Sequence, residues 1–123
     1  MKILVVEDEQ ILAKVFEEKF SKAHYDVKIA SDGEVALNLA KSFDPDVIVL
    51  DLVLPKKNGF EVLSELKSED SLKTIPVVVV SNLGEDEDIK RALSLGAVDY
   101  FVKAQHPINE IVSKVKTVSI KSK

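Results

Sequence analysis

The run Val47-Ile48-Val49-Leu50, closed by Asp51, limits the possible folds of this chain more than any other stretch. Four consecutive apolar residues, mostly β-branched and without polar alternation, read as a strand covered on both faces. Pro45 and Pro55 bound the segment, because proline cannot sit inside a central strand. Asp51 therefore stands at the carboxyl end of a central strand, the edge at which open α/β sheets bind ligands. A turn-forming Asp at a strand exit would account for this residue equally well, so the remaining strand ends have to decide.

Ile3-Leu4-Val5-Val6 is a second unbroken apolar run, and it ends in Glu7-Asp8-Glu9. Ile11, Leu12, Val15, Phe16 and Phe20 then follow at the spacing of one helix face. Val27 to Ala30 alternates as an edge strand does, and Ser31 with Glu34 fits a capping box. That box opens a helix with Val35, Ala36, Leu39 and Ala40 inward, which should end before Pro45. Gly59 and Phe60 open a third helix through Val62, Leu63 and Leu66.

Pro76 to Val80 is another buried strand, ending at Ser81-Asn82. Asp86 to Leu95 is a helix with Ile89, Ala92 and Leu93 inward, closed by Gly96. Val98 to Val102 is the fifth strand and ends at Lys103. Pro107 suits the first turn of a last helix that turns Ile108, Ile111, Val112 and Val115 inward and frays over Ser119 to Lys123.

Five strands alternating with five helices imply an α/β fold, a doubly wound parallel sheet covered on both faces. The edge character of the second strand selects spatial order 2-1-3-4-5, the flavodoxin-like arrangement. No linker, repeat or low-complexity segment interrupts residues 1–123, which are expected to form a single domain. The topological switch point then lies between strands one and three, whose ends carry Glu7, Asp8 and Asp51.

Composition removes several function classes. The formal net charge is -4 and Arg91 is the sole arginine, so a nucleic-acid surface is not expected. Without cysteine there is neither a disulfide nor a thiolate metal site. No apolar run approaches the ~20 residues of a membrane span. The first strand begins at once, leaving no room for a signal peptide, and the expected compartment is the cytoplasm.

What remains is a cluster of strand ends: three carboxylates, the Ser81 hydroxyl and the Lys103 ammonium. Caps and solvated surface positions account for each one singly, but not for their convergence on one edge. Close carboxylates need a cation, and a small set of oxygen ligands suits Mg²⁺. A carboxylate, Mg²⁺, an ammonium and a hydroxyl around one point suit phosphoryl transfer, where positioning and charge neutralisation supply most of the catalysis.

These residues resemble those of a receiver domain of a two-component response regulator, of the chemotaxis-regulator kind, over nearly the whole chain. The resemblance rests on Glu7-Asp8, on Asp51-Leu52-Val53-Leu54-Pro55 with Gly59, on Ser81, and on Tyr100-Phe101-Val102-Lys103. It implies that Asp51 accepts a phosphoryl group from a histidine kinase or phosphotransfer protein. It implies that Asp8, Asp51 and the Val53 backbone carbonyl bind Mg²⁺, with Glu7 acting through water. Lys103 and Ser81 would contact the phosphoryl oxygens, and Tyr100 would be the aromatic switch.

Val53, Asn82 and Leu83 are placed to flank the phosphoryl group, and none of them is an acid or base that could orient water. Slow self-dephosphorylation is expected, in a phosphoacceptor that is not an enzyme in the usual sense. The output would be a changed face of helix four, strand five and helix five, carrying Lys90, Arg91, Tyr100 and Val112. No Arg stands in helix five, which points to a monomer that binds a different protein. The chain departs from the usual pattern in Glu7, in Asn82, and in Ala104 where a cis-proline is common; a trans Lys103-Ala104 bond is expected.

A dinucleotide site would need glycines where Glu7-Asp8-Glu9 stands. An Asp-nucleophile phosphatase would need an acid at Val53. A pseudo-receiver would lack Asp51 or Lys103. The expected protein is a stand-alone regulator, the alternatives being a receiver fragment of a longer regulator or a pseudo-receiver interaction module.

Overall fold

A computed structural model describes residues 1–121. In chain order the elements are β1 (Lys2–Val6), α1 (Gln10–Lys22), β2 (Asp26–Ala30), α2 (Gly33–Phe43), β3 (Val47–Leu50), α3 (Gly59–Ser68), β4 (Val77–Ser81), α4 (Asp86–Ser94), β5 (Asp99–Val102) and α5 (Ile108–Lys121). A short 3₁₀ turn over Lys103–Gln105 joins β5 to α5. All strand pairs are parallel, in the order β2-β1-β3-β4-β5 anticipated from the sequence.

Side-chain alternation in the central strands divides the core in two. Leu4, Val6, Ile48, Leu50, Val77 and Val79 face α2, α3 and α4, with Ala36, Leu63, Leu66 and Ala92 filling that layer. Ile3, Val5, Val47, Val49, Val78 and Val80 face α1 and α5, against Phe16, Phe20, Ile111 and Val115. Both faces of each central strand are therefore sealed, which is why those strands read as unbroken apolar runs.

Several helix faces differ from the sequence expectation. The buried stripe of α1 is Ala13, Phe16 and Phe20, and Ile11 lies off it, 84% exposed. Val35, Leu93 and Val98 are likewise exposed, and β5 starts one residue later, at Asp99. The cap of α2 is Asp32, whose Oδ1 accepts from the Val35 N–H at 2.9 Å, so no Ser31 capping box forms. Gly33, the first residue of α2, is pressed so closely on Lys57 that a Cβ there would lie 2.0 Å from the Lys57 carbonyl oxygen.

Helix α5 holds its shape through Lys121, and Ser119 is fully buried, its Oγ paired with the Tyr25 hydroxyl at 2.5 Å. The expected fraying is thus absent there; Ser122 and Lys123 lie outside the described residues. No peptide bond is cis among the described residues, so Lys103-Ala104 is trans, as anticipated.

Candidate functional site

Strand register sets the site. Val6 pairs with Leu50, so Glu7 and Asp51 leave the sheet side by side. The Asp51 N–H reaches the Val6 carbonyl at 3.0 Å, and the Glu7 N–H reaches that of Ala30 at 2.9 Å. Ser81 pairs with Val102, which delivers Lys103 to the same edge. Gly59 then lets α3 start directly against the β3 exit: its N–H donates to the Leu52 carbonyl at 2.8 Å, and a Cβ there would lie 2.4 Å from the Asp51 carbonyl oxygen.

The Lys103 ammonium is the hub. It donates to Glu7 Oε1 at 2.8 Å, to Glu9 Oε2 at 2.8 Å and to Asp51 Oδ2 at 3.0 Å. The second oxygen of each buried carboxylate is also engaged. Glu7 Oε2 accepts from the Glu9 N–H at 3.1 Å, and Asp51 Oδ1 from the Val53 N–H at 3.2 Å. Burial, helped by the Asp51 charge, raises the Glu7 pKa to about 7 even though Lys103 and the Glu9 N–H pull it down. For Lys103, burial works against the charge, but its hydrogen bonds to Glu7 and Glu9 and the Asp51 charge outweigh it and hold the ammonium above its ordinary range.

A cleft of about 310 Å³ opens over this cluster, lined by Asp8, Glu9, Asp51, Val53, Asn82 and Lys103. Of the residues the sequence nominated, the structure thus brings Glu7, Asp8, Asp51, Val53, Asn82 and Lys103 together. Ser81 lies buried beneath the cleft, its Oγ accepting from the Leu83 N–H at 3.3 Å. Tyr100 stands apart from it, its hydroxyl donating to the Leu83 carbonyl at 2.5 Å and its ring half-buried on the α4 side of the sheet. Leu83 is itself half-buried in that layer.

Of the residues expected on the face of α4, β5 and α5, Val112 is core and the Arg91 guanidinium stacks on the Phe60 ring of α3 at 4.1 Å, while Lys90 is exposed and Tyr100 half-buried. Glu9 is the site residue that sequence reasoning left out. Its signal was the third acid of Glu7-Asp8-Glu9.

The donor set fits a hard divalent cation. Carboxylate oxygens of Glu7, Asp8 and Asp51 lie within 4.8 Å of one another, all are oxygen ligands, and one ammonium does not balance their charge.

Comparison with known proteins decides the family: the model for the response regulator receiver domain matches residues 3–116. The chain belongs to that family. Receiver domains are phosphoacceptors of two-component systems rather than enzymes of the usual kind, and aspartate phosphorylation and Mg²⁺ are general features of them. The receiver of a Francisella response regulator, 1452, superimposes with a TM-score of 0.91 at 30% identity, covering 99% of this chain and 98% of that one.

The Mn²⁺-bound form of response regulator Rcp1 gives a TM-score of 0.81 at 29% identity, over 95% and 90%. The Bacillus subtilis alkaline phosphatase synthesis transcriptional regulatory protein PhoP is 38% identical over 95% of this chain. The chain spans about half the length of such curated relatives: 48% of PhoP, and 44% of the Guillardia theta probable transcriptional regulator ycf27, also 38% identical. No helix of the described residues is long and apolar enough to cross a membrane.

Proposed function

We propose that residues 1–123 act as one receiver unit whose Asp51 takes a phosphoryl group from the phosphohistidine of a histidine kinase or phosphotransfer protein. The observation that carries this reading is Asp51 itself. Its carboxylate is buried at the end of a central strand, faces an open cleft, and has one oxygen on the Val53 N–H and the other on Lys103. In the transfer, an Asp51 oxygen attacks phosphorus and the phosphorus–nitrogen bond of the donor breaks. The electron pair leaves on the imidazole, which takes a proton from water.

Asp8, Asp51 and the Val53 carbonyl would hold Mg²⁺, with Glu7 acting through water. The ion would neutralise charge on the transferring oxygens. Lys103 and the Ser81 hydroxyl donate to phosphoryl oxygens. Ser81 and Tyr100 both hold Leu83, one by its N–H and one by its carbonyl. Drawing Ser81 inward breaks its bond to that peptide and frees the loop that Tyr100 grips, which changes the α4-β5-α5 face around Lys90 and Tyr100. That face binds a downstream protein, and the unit works as a cytoplasmic monomer without touching nucleic acid itself. Val53 and Asn82 border the cleft without an acid or base, and self-dephosphorylation is accordingly slow.

A second reading makes the chain the receiver part of a longer regulator. The two-fold greater length of its curated relatives favours it. The intact mass of the protein in its natural source decides between the two. For the chemistry, incubation with a small phosphodonor and Mg²⁺ should add one phosphoryl group by intact mass. Asp51→Ala or chelation should abolish it, and labelling that survives Asp51→Ala overturns the assignment.

A further inference from the structure

An ammonium has three N–H donors, and Lys103 has spent all three, one each on Glu7, Glu9 and Asp51. It cannot donate to a new oxygen until one of these is released. The three partners are not equivalent. The side chains of Glu7 and Asp51 are 3% and 5% exposed, and each has its second oxygen fixed by a backbone N–H. The Glu9 side chain is 55% exposed and, among the described residues, has Lys103 as its one ion-pair partner. Separating a buried carboxylate from its cation strands a charge in a dry site, whereas an exposed carboxylate is rehydrated at little cost. Glu9 also occupies the N-cap position of α1 without making a cap hydrogen bond. Its carboxylate reaches back to Lys103 instead, so its charge can be removed without uncapping the helix.

We propose that Glu9 is the exchangeable partner of Lys103: it holds the third N–H in the resting site, surrenders it to a phosphoryl oxygen, and by that competition restrains phosphorylation. Glu9 is a positioning residue in this account, acting through Lys103, and the account rests on Asp51 being the phosphoacceptor. During transfer the bond from phosphorus to the donor breaks as the bond to Asp51 forms. The Lys103 hydrogen bond moves from Glu9 to a phosphoryl oxygen with no net proton transfer.

The test compares wild type with Glu9→Gln, timing phosphorylation by intact mass at saturating Mg²⁺ and neutral pH. Two small donors are used: acetyl phosphate, a dianion, and phosphoramidate, which carries one negative charge. Weakening the competitor should accelerate labelling roughly two- to fivefold, the factor corresponding to one exposed ion pair. The gain should be equal for both donors, and the metal-free melting temperature should stay unchanged. Labelling that is unchanged or slower in Glu9→Gln overturns the proposal, since a Glu9 that merely places Lys103 would slow the reaction on removal. A gain confined to acetyl phosphate also overturns it, as that is repulsion of the donor and not release of Lys103. If wild type takes up no phosphoryl group from either donor, it is the phosphoacceptor reading that fails.

Discussion

Glu7 is where burial and charge conflict most sharply. It is 3% exposed, next to Asp51, and its pKa is raised to about 7 chiefly by desolvation. An unperturbed glutamate titrates near 4.5, so the folded metal-free protein binds a proton here more tightly than the unfolded chain. A raised folded pKa contributes stability that is complete below the unfolded value and is lost as pH rises through the folded one. Metal-free protein should therefore lose roughly 2–3 kcal/mol of stability from this group as pH climbs from about 4.5 to about 7. Urea melts in chelator across that range measure it. Glu7→Gln, which cannot titrate, should flatten this part of the profile, and an equally steep slope in the variant would remove Glu7 as its cause.

At the scale of elements, Lys67 shows how α3 is fastened to the segment that leads into β4. Its Nζ donates to the carbonyls of Lys73 at 3.1 Å and Ile75 at 2.9 Å, and its stem covers Gly96, which closes α4 at a φ of +112°. Desolvation lowers its pKa, as burial of an ammonium with only carbonyl partners should. Lys67→Met keeps the stem and removes the donors, so it should cost about 1–2 kcal/mol by leaving two carbonyls short of a partner. A chemical melt within 0.5 kcal/mol of wild type would show that water satisfies them.

The same elements mark the limits of reading the sequence. Strand order, the five helices and the convergence of Glu7, Asp8, Asp51 and Lys103 were all legible, because unbroken apolar runs fix the strands and a parallel sheet puts every strand exit on one edge. The positions of Ile11, Val35 and Leu93 were not, since a helical stripe read to within one residue still turns by ~100°. Glu9 was hidden because an acid at the start of a helix needs no partner elsewhere to account for it, and its partner is a lysine 94 positions away. The stacking of Arg91 was hidden because its partner, Phe60, belongs to a different helix.

Across the whole molecule, the open edge of the sheet concentrates negative charge. Glu7, Glu9 and Asp51 share the Lys103 ammonium, and Asp8 stands beside Glu7 and Asp51. Two like charges ~4 Å apart repel by about 4 kcal/mol at an effective dielectric of 20, before water and salt reduce it. Asp8 makes no ion pair among the described residues, whereas Asp51 is held by Lys103 at 3.0 Å. The two acids should therefore respond differently to neutralisation. Asp8→Asn removes only repulsion and should raise the metal-free melting temperature by about 3–5 °C, the shift that ~1 kcal/mol produces in a domain of this size. Asp51→Asn relieves repulsion but weakens an ion pair, and should gain less or nothing. Mg²⁺ that binds only the folded site should stabilise wild type by about 2.7 kcal/mol at a hundredfold excess over its dissociation constant, and both variants should respond more weakly. Thermal melts of the three proteins with and without Mg²⁺ test this. If Asp8→Asn melts lower than wild type in chelator, Asp8 is a structural cap and not part of a charge cluster held for a cation, since losing a cap destabilises by ~1 kcal/mol.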